Sequence, residues 1–449
     1  MPSDDAIATK LLAELPASLP QASGSQPMFN ASPSAAESRP GGARILAVWT
    51  RDLDVTEPFG RVNVARQVRA ALQDIGPVTS RRLTNAFEEH RPIWSLLLSA
   101  TALLGGLLSG RPLPLQCVLF AAAARRSALL ADGVKADVVY LDGIRTLLWM
   151  RRLRRVAPEL RIVVDLDDLM SRRYEHLSQQ GLPFSLGYLE RMLPRSLSRL
   201  TVAKGVARVV LWYERLALRN AERELLRIAD SVVLLNRSEA AMLREFGLDV
   251  CDAVRANVVA IPPMAKSVAT SMPSAFLHAP GYWRAVFVGS DVLVQNRMTI
   301  AYLLDLWSTF QIDTKLHIYG RQKENWRDVP NVTFSGYVAD IQEAYTPGSM
   351  LVYPCLVPGG IKTKVLEAFA YGVPVIGNAL TFEGILPAEY PLVIDDQLDL
   401  AAFLKDPASR VEDMARASGI ASSYLAQEHS ASSFAQRWRQ AILGTAGER

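Results

Sequence analysis

The sequence predicts an α/β protein made of two Rossmann-like, doubly wound domains that face a cleft. Three observations carry this expectation. At 449 residues the chain exceeds what one hydrophobic core usually serves, so two domains of roughly 150 to 200 residues are expected. Short apolar runs alternate with segments of helical period, as in a parallel sheet flanked by helices. That alternation runs through the first half and restarts after a stretch where Pro262, Pro263, Pro273 and Pro280 crowd together.

Residues 1–43 are rich in Ser, Pro, Ala and Gly and read as a disordered tail with a transient helix near Ala6 to Leu15. The first domain is expected over 44–265. Ile45 to Trp49 reads as a buried strand, and Val64, Val68 and Leu72 recur at helical spacing in the segment that follows. The pattern repeats with Asp137 to Leu141, a helix around Leu147 to Val156, the strand Arg161 to Leu166, and Ser231 to Leu235 before a helix from Ser238. A second domain is expected over 266–430. Its strands are Arg284 to Val288, Lys315 to Tyr319, Val332 to Phe334, Met350 to Tyr353 and Val373 to Ile376, with a helix at Met298 to Phe310. In the closing segment, 431–449, Phe434, Trp438 and Ile442 at i, i+4 and i+8 predict a helix packed on one apolar face.

Hydrophobic residues make up 49% and charged residues 21%, the balance of a globular protein with a sizeable core. Cys117, Cys251 and Cys355 are far apart, and the five histidines show no ligand spacing, which argues for a reducing compartment without structural zinc. Met1 to Lys10 carries acids rather than a basic n-region, so the cytoplasm is expected. Residues 44–230 hold 29 Lys and Arg against 19 Asp and Glu, a balance of +10; residues 231–449 hold 18 against 22, a balance of −4. The basic half suits an anionic lipid or polyphosphate, or is a set of solvated helix faces. Nucleic acid is disfavoured, because the arginines form no reader motif and lack interleaved stacking aromatics. Ile93 to Leu108 is sixteen residues without a charge, bounded by Arg91 and Arg111. It is short of the roughly 20 residues of a spanning helix, and reads as a buried helix or as one lying in the membrane interface.

The chemistry-bearing segment is Pro358 to Pro374, a glycine turn opening a short helix after the strand Met350 to Tyr353. Gly359 and Gly360 let the backbone approach a ligand closely. The amides of Ile361, Lys362 and Thr363 at the helix start make an anion site, to which Lys362 and Lys364 add charge. Ile361, Val365 and Phe369 form the expected buried stripe, leaving Thr363, Lys364 and Glu367 on another face. Glu367 then lies about one turn beyond the anion site, within reach of a ribose. In the first half, the strand Arg161 to Leu166 runs into Asp165, Asp167 and Asp168, at the strand end where this architecture places active residues. These acids read as active-site groups, as helix-capping and loop-bonding groups, or as metal ligands; the last is disfavoured because no further ligands gather nearby.

With these motifs the chain resembles family 4 of the glycosyltransferases, retaining enzymes of the GT-B fold. The match runs from Gly359 to Gly384, with weaker likeness at Phe287-Val288-Gly289-Ser290, Asn296, Tyr319-Gly320 and Asn236-Arg237-Ser238. The resemblance implies that Glu367 binds the ribose, that the amides of Gly360 to Thr363 bind the diphosphate, and that a basic residue after the Gly289 loop, here Arg297, meets the phosphates. It also implies nucleotide contacts at Gly289 and Gly320, and a sugar-side loop at Gly60. Asp167 or Asp168 would take the polar position at the strand end facing the donor. Family members usually carry two glutamates eight positions apart; the second is Glu367, and Gly359 stands at the first. The implied activity is transfer of a sugar from a nucleoside-diphosphate sugar to a glycan or lipid-linked saccharide in polysaccharide biosynthesis, with no cofactor and no metal, and with peripheral membrane contact. A nucleotide-sugar epimerase or hydrolase, and a non-catalytic scaffold, are the competing readings.

Overall fold

The computed structural model describes residues 42–55, 60–89, 91–179, 204–248, 254–265, 283–385, 387 and 389–444. The expected tail and part of the proline-rich stretch lie outside the described residues. Two wholly parallel sheets are present. The first has six strands, β1 (Ile45–Trp49), β2 (Val78–Arg82), β3 (Val138–Asp142), β4 (Arg161–Asp167), β5 (Ser231–Leu234) and β6 (Asn257–Ala260), in the order 2-1-3-4-5-6. The second has five, β7 (Arg284–Val288), β8 (Leu316–Tyr319), β9 (Val332–Gly336), β10 (Ser349–Val352) and β11 (Val375–Ile376), in the order 11-10-7-8-9. Chain order reverses between β1 and β3 in the first sheet and between β7 and β10 in the second. Those reversals open a crevice at the carboxyl ends of the strands, where ligands bind in sheets of this kind.

Both faces of the first sheet are covered, which is why β1 is apolar throughout. Leu46 and Val48 enter one core cluster, while Ile45, Ala47 and Trp49 enter the other. Helix α1 (Gly60–Ile75) turns Val64, Val68 and Leu72 onto the second cluster. The last helix of the chain, Ala431–Leu443, docks there too. Its Trp438 meets Tyr140 edge-on at 5.7 Å, and Arg161 donates to the Ile442 and Ala441 carbonyls at 2.7 and 2.9 Å. The C-terminus thus completes the first sheet's cover after the chain has built the second.

Helix α2 (Pro92–Leu108) settles how the uncharged run is placed. It turns Ser95, Ser99 and Gly106 inward, while Ile93, Trp94, Leu97, Leu104 and Leu108 lie 52–89% exposed. The buried-helix reading is therefore corrected: small residues allow close packing beneath, and the large apolar ones face out. No helix among the described residues is long and apolar enough to cross a membrane.

Helices α3 (Met170–Gln179), α4 (Lys204–Ile228) and α5 (Arg237–Leu248) follow β4 and β5 on one flank. From α4, buried Glu222 accepts hydrogen bonds from the Ser171 amide and hydroxyl at the start of α3, and Glu214 accepts from the Leu115 amide at 2.9 Å. Burial pushes both carboxyls up to about 8, against the pull of those bonds. A carboxyl raised from about 4.5 to about 8 on folding favours the native state fully below the lower value and loses that contribution as pH rises through the upper one. Wild-type thermal stability should therefore fall between pH 5 and 8. Glu214→Gln keeps the acceptor and removes the titration, so its slope should be shallower by up to about 1.4 kcal/mol per pH unit. Parallel wild-type and variant curves would show that Glu214 does not titrate on unfolding.

Candidate active site

The second half contributes the loop from Tyr353 to Lys362 and helix α6 (Thr363–Ala370). Gly359 and Gly360 take φ of 104° and 63°, a left-handed backbone that side chains resist. This turn delays the helix to Thr363, so Ile361 precedes it rather than joining its stripe. Buried Val365, Leu366, Ala368 and Phe369 seat α6 on the sheet, and Ile361 packs against cores of both halves. The anion site is correspondingly adjusted. The Gly360 amide donates to Glu239 Oε2 at 3.2 Å and the Thr363 amide to the Ile361 carbonyl at 3.1 Å. The amides of Ile361, Lys362 and Lys364 have no such bond among the described residues.

Lys362 is buried and bonds back to the Gly359 carbonyl at 2.8 Å, bracing the turn. Lys364 bonds Asn296 Oδ1 at 3.0 Å and lies 4.6 and 4.3 Å from the Phe287 and Tyr353 ring centroids. Burial pushes its ammonium down to about 7, although Glu367 pulls the other way. Glu367 sits half-buried one turn into α6, electrostatically coupled to Lys364, Tyr345 and Tyr371. Gly289 at the end of β7 and Gly320 after β8 touch: a Cβ at 320, where φ is 132°, would lie 2.5 Å from the Gly289 carbonyl oxygen. Arg297 donates to the Asp291 carbonyl at 2.9 Å, so it closes the loop after β7.

The first half answers with a charge cluster at its own chain reversal. Asp142 ends β3 and Asp165 lies near the end of β4, both fully buried. Arg61, in the first turn of α1, reaches Asp165 at 2.8 Å, Asp167 at 3.1 Å and Asp142 at 3.7 Å. Arg51 adds a 2.9 Å pair to Asp142, and the Tyr140 hydroxyl donates to Asp165 at 2.9 Å. Desolvation would raise Asp142, but Arg51, Arg61 and the Thr50 amide hold it below its usual value. Asp167 differs. Its φ of 75° follows a register shift in the β4–β5 ladder, and its side chain keeps 27% exposure. Desolvation, with repulsion from Asp168 and Asp165, outweighs Arg61 and Arg51 and lifts it to about 6. Asp168 pairs instead with Arg173. Neither acid caps a helix in the manner weighed from sequence, although Asp165 does accept the Asp167 amide at 3.2 Å.

The two halves meet here. A Cβ on Gly60 would lie 2.8 Å from Thr363 Oγ1, so the start of α1 abuts the start of α6. A Cβ on Gly359 would lie 3.2 Å from Arg173 Nε and 3.4 Å from Asp168 Oδ2. The space over the glycine that stands at the family's first glutamate position is thus filled from the other half by a carboxylate and a guanidinium. Glu239 clamps the seam, taking the Leu169 amide on Oε1 and the Gly360 amide on Oε2; burial, with repulsion from Asp168, raises it to about 7. Arg172 pairs with Glu383 across the same seam, and a Cβ on Gly384 would collide with Asn236.

Sequence reasoning placed Asp167, Asp168, Gly60, Gly359, Gly360 and Thr363 in the region the structure brings together. It missed Arg51, Arg61, Asp142, Arg173 and Glu239. Arg61 and Glu239 left a trace, as charged residues in the first turn of helices that follow strands. Among the described residues no group of three or more His, Cys, Asp or Glu could hold a metal ion.

Comparison with known proteins fits this geometry. Residues 284–417 match the family model for glycosyl transferases group 1. Anabaena Alr3699/HepE, in its crystal structure with UDP-glucose, is similar over 89% of this chain and 98% of its own, at 14% identity and a TM-score of 0.55. An α,α-trehalose-phosphate synthase (UDP-forming) from Burkholderia vietnamiensis is similar over 89% and 98%, at 11% identity and a TM-score of 0.50. No curated protein sequence matches significantly. The two half-sheets and their facing strand ends give this chain the GT-B fold, and its second half matches the model of the glycosyl transferases group 1.

Proposed function

We propose that the protein moves a sugar, with retention of anomeric configuration, from a nucleoside-diphosphate sugar to a glycan or lipid-linked saccharide in polysaccharide biosynthesis. The observation that carries this reading is the abutment of the glycine turn and α6 start against the carboxylates at the end of β4. A UDP-sugar is the donor of choice by analogy with Alr3699/HepE, whose structure holds UDP-glucose. The diphosphate lies along the Ile361, Lys362 and Lys364 amides at the positive end of α6. Lys364, poised near neutrality, takes up a proton as the anion arrives. Glu367 holds the ribose, and Gly289, Gly320 and Arg297 shape the nucleotide's side of the crevice.

In the reaction the bond from the anomeric carbon to the diphosphate breaks, and a bond from that carbon to the acceptor oxygen forms on the same face. The acceptor proton passes to the departing diphosphate oxygen. Asp168, standing over Gly359, takes the donor-sugar position that family members give to a glutamate. Asp167, open to solvent beside Gly60 and Arg61, orients the acceptor hydroxyl. Fixed amides and cations supply the counter-charge to the leaving group, so no metal is required.

Isothermal titration with UDP tests the donor site. Glu367→Ala should keep the wild-type melting temperature and weaken UDP binding by about 1.5–3 kcal/mol, the scale of a lost charged hydrogen bond. Wild-type transfer from UDP-glucose to an acceptor should continue in EDTA. Unchanged UDP affinity in the variant would remove Glu367 from the site, and loss of activity in EDTA with rescue by manganese would replace the metal-free reading.

Contact with a membrane surface rests on a separate observation, the outward face of α2 flanked by exposed Arg91 and Arg111. Apolar side chains insert at the interface, and each nearby cation adds about 1 kcal/mol against an anionic leaflet. The protein should float with phosphatidylglycerol-containing vesicles, less in high salt, and less again when Leu97 and Leu104 are both changed to Asp. Sedimentation of the wild type away from such vesicles at low salt would contradict membrane docking.

A further inference from the structure

A cavity of about 220 Å³ opens on the first half between α3, α4 and α5. It is lined by Arg172 and Glu175 from α3, by Arg215 and Arg219 from α4, and by the apolar Leu169, Met242 and Phe246. Arg215 and Arg219 are four residues apart on one helix and so project from the same face. None of these residues takes part in the donor site or in the charge cluster around Arg61.

The guanidiniums here are only partly matched. Arg172 pairs through Nη2 with Glu383, but its Nη1 is buried without a hydrogen-bond partner. Arg215 is 3.6 Å from Glu175, its Nη1 beyond hydrogen-bond range. The Arg219 guanidinium carbon lies over Phe246, 4.7 Å from the ring centroid, and its Nε is likewise buried and unsatisfied. Glu222 beneath Ser171 does not balance them, being held protonated at neutral pH by burial. Three guanidiniums against Glu175 and Glu383 leave one positive charge in excess. Buried donors without acceptors are costly and uncommon, and each asks for a reason.

The Arg172 and Arg215 side chains keep 24% and 31% exposure, so their accessible N–H groups can meet a tetrahedral oxyanion. Several acceptor oxygens on one phosphorus match the planar forks of arginine, and charge-assisted bonds of this kind are the strong ones. The apolar wall suits a carbon substituent on the phosphate. The cavity also borders the seam, because Leu169 follows Asp168 and gives its amide to Glu239, while Arg172 reaches Glu383 in the second half. This is the half that would receive the acceptor.

We propose that the Arg172–Arg215–Arg219 cavity binds a phosphate ester carried by the acceptor, anchoring the acceptor beside the transfer site. This rests on the transferase reading for what the bound molecule does. The binding itself does not depend on that reading. Such an ester is either a lipid phosphate or a soluble sugar phosphate, and the two are separable by their apolar part.

The test is calorimetric titration of the full chain with octyl phosphate, with glucose 6-phosphate, and with UDP as the donor-site reference. At least one of the two esters should bind saturably. Arg219→Gln, which keeps a side chain over Phe246, and Arg215→Ala should each weaken that ester about tenfold or more while leaving UDP affinity and melting temperature unchanged. Tighter octyl phosphate supports a lipid-linked acceptor, and tighter glucose 6-phosphate a soluble one. The proposal is overturned if neither ester saturates, or if both variants bind as the wild type does. Loss of UDP binding alone in the wild type would instead count against the transferase reading and leave the cavity's assignment standing.

Discussion

The close approach of the Gly359–Gly360 turn to the end of β4 is the constraint around which the rest of the site is arranged. With φ of 104° and 63°, these residues carry the backbone through a conformation that side chains resist, and no side chain stands between the turn and the Asp168–Arg173 pair. Because the turn uses up two residues, α6 starts at Thr363, where it abuts the start of α1. Because the Gly360 amide is taken by Glu239, the turn is tied to the first half as well as to its own sheet. Gly60 makes the same accommodation from the other side. Two glycines and a glycine, facing each other, let two helix starts come together.

Electrostatics at this place point to function more than to stability. Burying ionised carboxylates and guanidiniums costs several kcal/mol per ion before pairing offsets it, and apolar replacements of such sets are often as stable. Asp142, Asp165 and Arg61 nevertheless sit in the interior at the ends of β3 and β4. Their pairing fixes Arg61 and leaves Asp167, the more exposed member, as the group that changes charge near pH 6. A left-handed φ at that one acid adds local strain, which tends to collect at functional sites.

Much of the fold was legible because it follows from local chemistry. Both faces of the sheet are covered, so β1 and β4 read as apolar runs, and the helix Leu147–Val156 carries its period plainly. The edge strand β2, with four exposed residues of five, offers no pattern to read. Helix α2 was ambiguous because its composition suits a core, and only the inward placement of Ser95, Ser99 and Gly106 decides its orientation. At the site, the glycine turn, Glu367 and the acids after β4 declare themselves by type and position. Arg173 and Glu239 do not, since they act on residues roughly 120 to 190 positions away. The meaning of glycine at 359 was hidden for the same reason: its complement comes from the other half of the chain.

The juxtaposition of the two halves can be measured without substrate. A Cβ on residue 60 would stand 3.7 Å from the Cβ of Thr363, inside the range of about 3.5–4.5 Å that a disulfide requires. A chain carrying Gly60→Cys and Thr363→Cys should therefore form an intramolecular crosslink on mild oxidation, seen by mass spectrometry as a linked peptide pair and reversed by reductant, whereas each single variant should not. Failure of the double variant to crosslink while remaining folded would contradict the closed seam on which this account of the active site rests.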